Sequence, residues 1–134
     1  MLERVTFDLP NSVESRYTTG LCHALALALH RRTGAPMVAI WGVEGGEGCL
    51  AHLALRHPDH PSWVVDVRGV RPLDEAVREY YDIADPWTRE ATPDDVDRWV
   101  EDECRLEPLD EADLQDADHV ARWILRQMRS VRKP

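Results

Sequence analysis

Residues 20–34 read GLCHALALALHRRTG and predict a helix whose segment 24–29 is apolar on every side. Gly34 followed by Pro36 is a typical end for such a helix, because glycine adopts the left-handed conformation of a C-terminal cap and proline cannot continue the helix. A helix without a polar face must be covered on several sides, so this segment decides the fold. Cys22 lies at its start, where unpaired N–H groups carry positive partial charge.

The composition is that of one globular domain spanning residues 1–134. Apolar residues make up 43% of the chain and charged residues 31%, which is enough for one core. No apolar run approaches the roughly 20 residues that cross a membrane, the first ten residues lack the apolar segment of a signal peptide, and three cysteines do not suggest a disulfide framework. We therefore expect a cytoplasmic protein with free thiols. The net charge of -9 argues against nucleic acid as a partner.

The order of predicted elements indicates an α+β fold. The N-terminal buried helix would pack on a small antiparallel sheet, and C-terminal helices would cover it. Residues 18–70 form the candidate catalytic core, and residues 71–134 form an acidic helical part. Segment 10–20 reads as a polar loop. The predicted strands are 4–9, 37–42, 49–56 and 62–70, and the later helices are 72–82, one from residue 92 and one from residue 110.

Two of these strands bring a histidine and an aspartate together. Strands 49–56 and 62–68 are expected to form a hairpin that turns at Asp59, which places His52 directly opposite Asp66. Both side chains then lie on one face of the sheet, because side chains alternate along a strand. We expect the apolar helix to cover that face, so that Cys22 approaches the imidazole.

Such a grouping suits thiol chemistry. A helix N-terminus and an adjacent imidazolium lower a thiol pKa from about 8.5 into the range of about 3.5–7.5. Asp66 would fix the imidazole tautomer of His52 and stabilise its charged form. The backbone N–H of Cys22 would be available to an oxyanion.

The stretches GLCHALALAL, LAHLAL and VVDVRG together resemble the papain-like and transglutaminase-like cysteine enzymes, in which Cys, His and Asp follow in this order. The resemblance covers about half of the chain. It implies that Cys22 is the nucleophile, His52 the base and Asp66 the residue that orients the histidine. It also implies a peptidase, deamidase or acyltransferase that acts on an amide or acyl bond of a protein or peptide-like substrate, without cofactor or metal.

Two positions depart from the papain-like pattern. His23 follows the cysteine, where a tryptophan or another bulky residue often stands. Arg16 stands six residues before the cysteine, where papain-like peptidases usually carry the glutamine of the oxyanion hole. Other residues near the predicted site are therefore candidates for oxyanion or substrate contacts. These are Asn11, Tyr17, Thr19, His23 and Trp41.

Two other functions are compatible with the sequence. The chain can be a catalytically inactive papain-like binding module or a toxin-associated adaptor, whose acidic face binds a basic protein. The stretch HPDHP at 57–61 suggests a third candidate function, a metal-dependent hydrolase built on His57 and His60. Its prolines and aspartate are also ordinary turn residues, and no established metal motif is present, so we expect no metal.

Overall fold

The structure, a computed structural model, describes residues 2–80, 84–102 and 106–132. These residues form one antiparallel sheet flanked by helices, which confirms the α+β class. The strands are β1 Val5–Thr6, β2 Met37–Glu44, β3 Glu47–Arg56, β4 Trp63–Val65, β5 Gly69–Pro72 and β6 Ala84–Ala91. The helices are α1 Asn11–Thr18, α2 Cys22–Thr33, α3 Leu73–Arg78, α4 Pro93–Glu101 and α5 Glu111–Arg132.

The sheet has the strand order β1-β5-β4-β3-β2-β6. Strands β2 and β3 form its central hairpin, which turns at Gly45 and Gly46. Both glycines have positive φ angles, 62° and 84°, as the tight turns that suit the twist of a hairpin require. The long hairpin places β3, the strand that carries His52, inside the sheet.

Helices cover both faces of the sheet. Leu55 and Val65 pack with residues of α2 and α5 on one face. On the other face, Ala76 of α3 packs with Ala54 and Val64. Because both faces are covered, β3 is buried continuously from residue 52 to residue 55.

Several segments differ from the sequence-based expectation. The predicted strand 62–70 is divided into β4 and β5, and Asp66 lies in the turn between them. The predicted helix 72–82 is the shorter α3, and residues 81 and 82 lie outside the described residues.

The predicted loop contains helix α1, which forms because burial of Tyr17 against the core outweighs its polar composition. Strand β6 was not predicted, since its residues 84–90 are all exposed and show no apolar alternation. Pairing with β2 imposes its extended conformation. The part from residue 71 onward is therefore not purely helical.

The pairing of β3 with β4 differs from the predicted register by two residues. Leu55 faces Val65, and Arg56 faces Val64 instead of Ser62. An even shift leaves every side chain on its expected face, whereas a shift of one would reverse the faces. His52 and Asp66 are therefore diagonal neighbours rather than directly opposite residues.

Helix α4 begins with a capping box formed by Thr92 and Asp95. Asp95 donates its N–H to the Thr92 hydroxyl at 3.1 Å, and Thr92 donates its N–H to the Asp95 carboxylate at 3.0 Å. We expect Thr92→Ala to lower the free energy of unfolding by about 1 kcal/mol, because it leaves the Asp95 N–H without its acceptor. Urea denaturation checks this result, with Thr92→Ser as the variant that keeps the hydroxyl. An equal loss in both variants would contradict the role of the cap.

Candidate active site

The turn between β4 and β5 positions Asp66. The N–H of Asp66 donates to the carbonyl of Gly69 at 3.1 Å and closes the turn. Gly69 has a φ of 152°, and a Cβ at this position would lie 1.8 Å from the carbonyl oxygen of Val5. Only glycine allows β1 to approach this closely, so the turn that holds Asp66 depends on it.

Three donors hold the carboxylate of Asp66. His52 Nε2 and Arg71 Nη2 contact Oδ2 at 2.9 and 2.8 Å, and the N–H of Arg68 donates to Oδ1 at 2.9 Å. Burial works to raise the pKa of Asp66, but the hydrogen bond and charge of His52, together with Arg71 and the Arg68 N–H, lower it to about 2. Asp66 is therefore a buried carboxylate that stays charged throughout the neutral range.

The imidazole of His52 is fully buried between Asp66 and Tyr80. Its ring stacks on that of Tyr80, with centroids 5.3 Å apart and planes 25° apart. Burial works to lower the pKa of His52, but the hydrogen bond to Asp66 and the nearby Cys22 raise it to about 9. Because Nε2 is bound to Asp66, Nδ1 is the nitrogen left for Cys22. Among the residues that the structure describes, this Nδ1 has no hydrogen-bond partner.

The thiol of Cys22 lies among groups that favour its ionised form. Burial works to raise the pKa of Cys22, but His23, His52 and the backbone N–H of Leu53 together lower it to about 6. Neither His23 Nδ1 nor His52 Nδ1 forms a hydrogen bond of standard geometry with a described group, so the contact of sulfur with the imidazoles is loose. Such contacts are often long in enzymes without substrate and tighten when substrate binds.

Cys22 reaches His52 by a route that the sequence did not suggest. We expected α2 to cover the His52 face of the sheet, but α2 packs on the opposite face, with Leu53 and Leu55. The described pairs between β3 and β4 involve Leu55 and Arg56 of β3, so Leu53 lies on a part of β3 outside these pairs. The thiol of Cys22 contacts the Leu53 N–H and the His52 ring along this edge of β3.

These pKa values predict an ion pair at neutral pH. Between about pH 6 and pH 9, Cys22 is a thiolate and His52 is an imidazolium. Together with the Asp66 carboxylate and the Arg71 guanidinium, the buried group has no net formal charge. Compensation of this kind is what allows charges to persist in an interior.

The site is closed in this structure. Cys22 is 4% exposed, Asp66 is 3% exposed, and the void beside the thiol has no room for a water molecule. The N–H of Cys22 donates to the Thr19 carbonyl at 3.2 Å, so it is not available to an oxyanion as the sequence suggested. Glu107 crosses the start of α2, where its N–H donates to the Gly20 carbonyl and its carbonyl accepts from His23 Nε2 at 2.7 Å.

The other residues predicted near the site have different surroundings. Tyr17 is buried and lines the void beside Cys22, and Trp41 belongs to the same apolar cluster as Cys22. His23 is fully buried against the thiol. Asn11 is exposed at the start of α1, and Thr19 is exposed with its hydroxyl bound to the Ser15 carbonyl at 2.9 Å.

Sequence reasoning missed Arg71 and Tyr80. The β4–β5 pairing places Arg71 opposite Val64, so that its side chain returns to Asp66. Gly69 was a usable signal for this turn, because glycine between two short apolar runs indicates a hairpin. Tyr80 follows α3, and nothing in the local sequence indicates that it stacks on His52.

The HPDHP stretch is a turn. The N–H of Asp59 donates to His57 Nδ1 at 3.1 Å, and the rings of His57 and His60 lie 4.9 Å apart. No group of three His, Cys, Asp or Glu side chains within residues 2–80, 84–102 and 106–132 is arranged to hold a metal ion. In the same residues, no helix has the length and apolar character needed to cross a membrane.

Comparisons with known proteins identified no relative of this chain. No protein-family model matches the chain, and neither does any curated protein or solved structure. The chemistry of the site is therefore argued from its own residues.

Proposed function

We propose that this protein is a thiol enzyme that attacks an amide or acyl bond through Cys22, His52 and Asp66. The observation that carries the proposal is the hydrogen bond of 2.9 Å between His52 and Asp66, with the thiol of Cys22 beside the same imidazole. A nucleophile next to a base that a third group orients is the arrangement that covalent catalysis requires. The opposite shifts of the two pKa values, to about 6 and about 9, supply the reactive thiolate and the proton donor.

The proposed reaction begins with the thiolate. Sγ of Cys22 attacks the carbonyl carbon, and the electron pair of the C=O bond moves to oxygen. His52 then donates its Nδ1 proton to the leaving nitrogen or oxygen as that bond breaks, which leaves an acyl thioester on Cys22. Asp66 keeps the Nε2–H of His52 oriented throughout.

The second half of the reaction separates hydrolase from acyltransferase. His52 Nδ1 takes a proton from water or from another acceptor, which attacks the thioester and frees Cys22.

We propose a protein or peptide-like substrate that packs against Trp41, which belongs to the apolar cluster of Cys22 and stacks on the 44% exposed Trp87. A cytoplasmic, papain-like enzyme remains our proposal for location and family, since a reducing compartment keeps such a thiol free.

The pH dependence of Cys22 alkylation tests the proposal. We expect the rate constant for reaction with iodoacetamide, followed by peptide-resolved mass spectrometry, to rise with a midpoint near pH 6. Cys49 is followed in the same sample as an internal comparison, and its sulfur lies 3.8 Å from the Glu44 carboxylate. An unperturbed thiol, with a pKa of about 8.5, reacts in this way only in alkaline solution.

Two results would contradict the proposal. One is a Cys22 profile that rises only in alkaline solution, as that of an unperturbed thiol does. The other is a Cys22 that reacts only after the protein unfolds. Either result would show that the thiol is a structural group rather than a nucleophile.

A second candidate function is a catalytically inactive binding module or toxin-associated adaptor. The closure of the site favours it, because the thiol is 4% exposed and the Cys22 N–H is already bound to Thr19. Helix α4 would supply the acidic face through the exposed side chains of Asp94, Asp97 and Glu101. This reading requires an unreactive Cys22 and a salt-dependent complex with a basic protein.

A further inference from the structure

Tyr80 lies directly against the reacting pair. Two hydrogen bonds continue the end of α3, from the Glu79 N–H to the Ala76 carbonyl and from the Tyr80 N–H to the Val77 carbonyl. This turn brings the Tyr80 ring onto the buried ring of His52, at 5.3 Å between centroids. The aromatic ring therefore has a clear packing role, but its hydroxyl group does not.

The hydroxyl of Tyr80 is buried and has no hydrogen-bond partner among the described residues. A buried donor without an acceptor destabilises the folded protein, so it calls for an explanation such as a partner that arrives with a ligand. Burial and the charges of Asp66 and Cys22 raise the pKa of this phenol above its usual value. The group therefore stays a neutral O–H donor across the range in which the thiolate forms.

Two donors beside the thiol are already engaged in this structure, whereas the Tyr80 hydroxyl and the Trp41 Nε1–H are buried without a partner among the described residues. Attack on a carbonyl places negative charge on its oxygen, which a donor must stabilise. The N–H of Cys22 would be the usual choice at a helix start, but it already donates to Thr19. His52 supplies its protons to Asp66 and to the leaving group, so it is occupied as well.

We propose that the Tyr80 hydroxyl donates a hydrogen bond to the substrate oxygen that becomes negative when Cys22 attacks. This inference rests on the proposed function. In this step the S–C bond forms, the π electrons of C=O move to oxygen, and the phenol proton stays on Tyr80. When the intermediate collapses, the C=O bond re-forms and the bond to the leaving group breaks.

Two probes that differ in chemistry test the inference on the full chain. p-Nitrophenyl acetate acylates a thiol through an oxyanion and releases p-nitrophenolate, whereas iodoacetamide alkylates it without forming one. We expect Tyr80→Phe, which keeps the ring on His52, to lower the acylation rate constant by about 100-fold. The alkylation profile of the same variant should keep the wild-type midpoint near pH 6, which also shows that it is folded. Tyr17→Phe removes the phenol that lines the void beside Cys22 and is measured in parallel.

Each alternative outcome overturns the inference in a recognisable way. Acylation of Tyr80→Phe at the wild-type rate would leave the proposed function intact and remove Tyr80 from it. A loss found in Tyr17→Phe instead would assign the donor to Tyr17. An alkylation midpoint displaced in Tyr80→Phe would mean that Tyr80 acts through the Cys22–His52 pair. A wild-type protein that is never acylated would refute the proposed function itself, and this inference with it.

Discussion

His52→Gln is expected to lower the rate constant for Cys22 acylation by at least about 10³-fold. The variant loses the imidazolium that stabilises the thiolate and protonates the leaving group. The midpoint of Cys22 alkylation should consequently move from about 6 to above about 8. Glutamine still offers an N–H to Asp66, so the carboxylate is not left without that donor.

Stopped-flow acylation with p-nitrophenyl acetate and the iodoacetamide profile measure the two effects. His60→Gln is the matched control, because His60 is an exposed histidine in the turn after β3. It should match the wild type in both measurements. If His52→Gln kept the low midpoint of the wild type, the activation of Cys22 would have to come from His23 and the backbone, and the proposed triad would be wrong.

Asp66→Asn is expected to destabilise the fold by about 3–4 kcal/mol at neutral pH. The carboxylate accepts a buried hydrogen bond from His52 and part-buried ones from Arg71 and the Arg68 N–H. An amide has one acceptor oxygen for these three donors, and its own NH₂ group faces them. The side chain of Arg71 is 13% exposed, so its charge has little access to water in compensation.

The pH dependence of the free energy of unfolding is a second test of Asp66. The pKa of Asp66 is about 2 in the folded protein and near 3.8 in the unfolded chain, so its ionisation stabilises the fold above about pH 4, and this stabilisation is lost as the pH falls through 2. The stabilisation is about 2 kcal/mol. The Cys22–His52 pair does not make the free energy of unfolding depend on pH near pH 7.5. Folding moves one proton from sulfur to nitrogen, so the number of protons bound stays the same.

Urea unfolding of the wild type and the variant from pH 2 to pH 8 measures both quantities. The difference in the free energy of unfolding between the wild type and Asp66→Asn should be largest at neutral pH and shrink in acid. Asp118→Asn is the matched control, since it breaks an exposed pair with Arg32 at 2.7 Å. Such a pair contributes less than about 1 kcal/mol. An Asp66 variant no less stable than this control would show that the buried network does not hold the site together.

Short-range patterns in the sequence were sufficient to predict helix α2 and strand β3. The apolar run 24–29 and Gly34 predicted α2, and the structure ends this helix at Gly34 with a φ of 73°. Alternation along β3 placed His52 on one face and Leu53 on the other, because this period belongs to the strand itself. By contrast, β6 exists through its pairing with β2, and no property of its own exposed residues foretold it.

The sequence by itself determined which side chains could take part in thiol chemistry. It indicated Cys22 at a helix start and His52 on a strand, because helix ends and strand faces follow from local spacing. It also predicted Asp66 on the neighbouring strand, whereas Asp66 lies in the turn that follows β4. Only the tertiary structure decided how these groups meet. The two-residue register, the route of Cys22 past the edge of β3, and the arrival of Arg71 and Tyr80 depend on contacts between segments distant in the chain. Such contacts are selected by packing of the whole core, which no local pattern encodes.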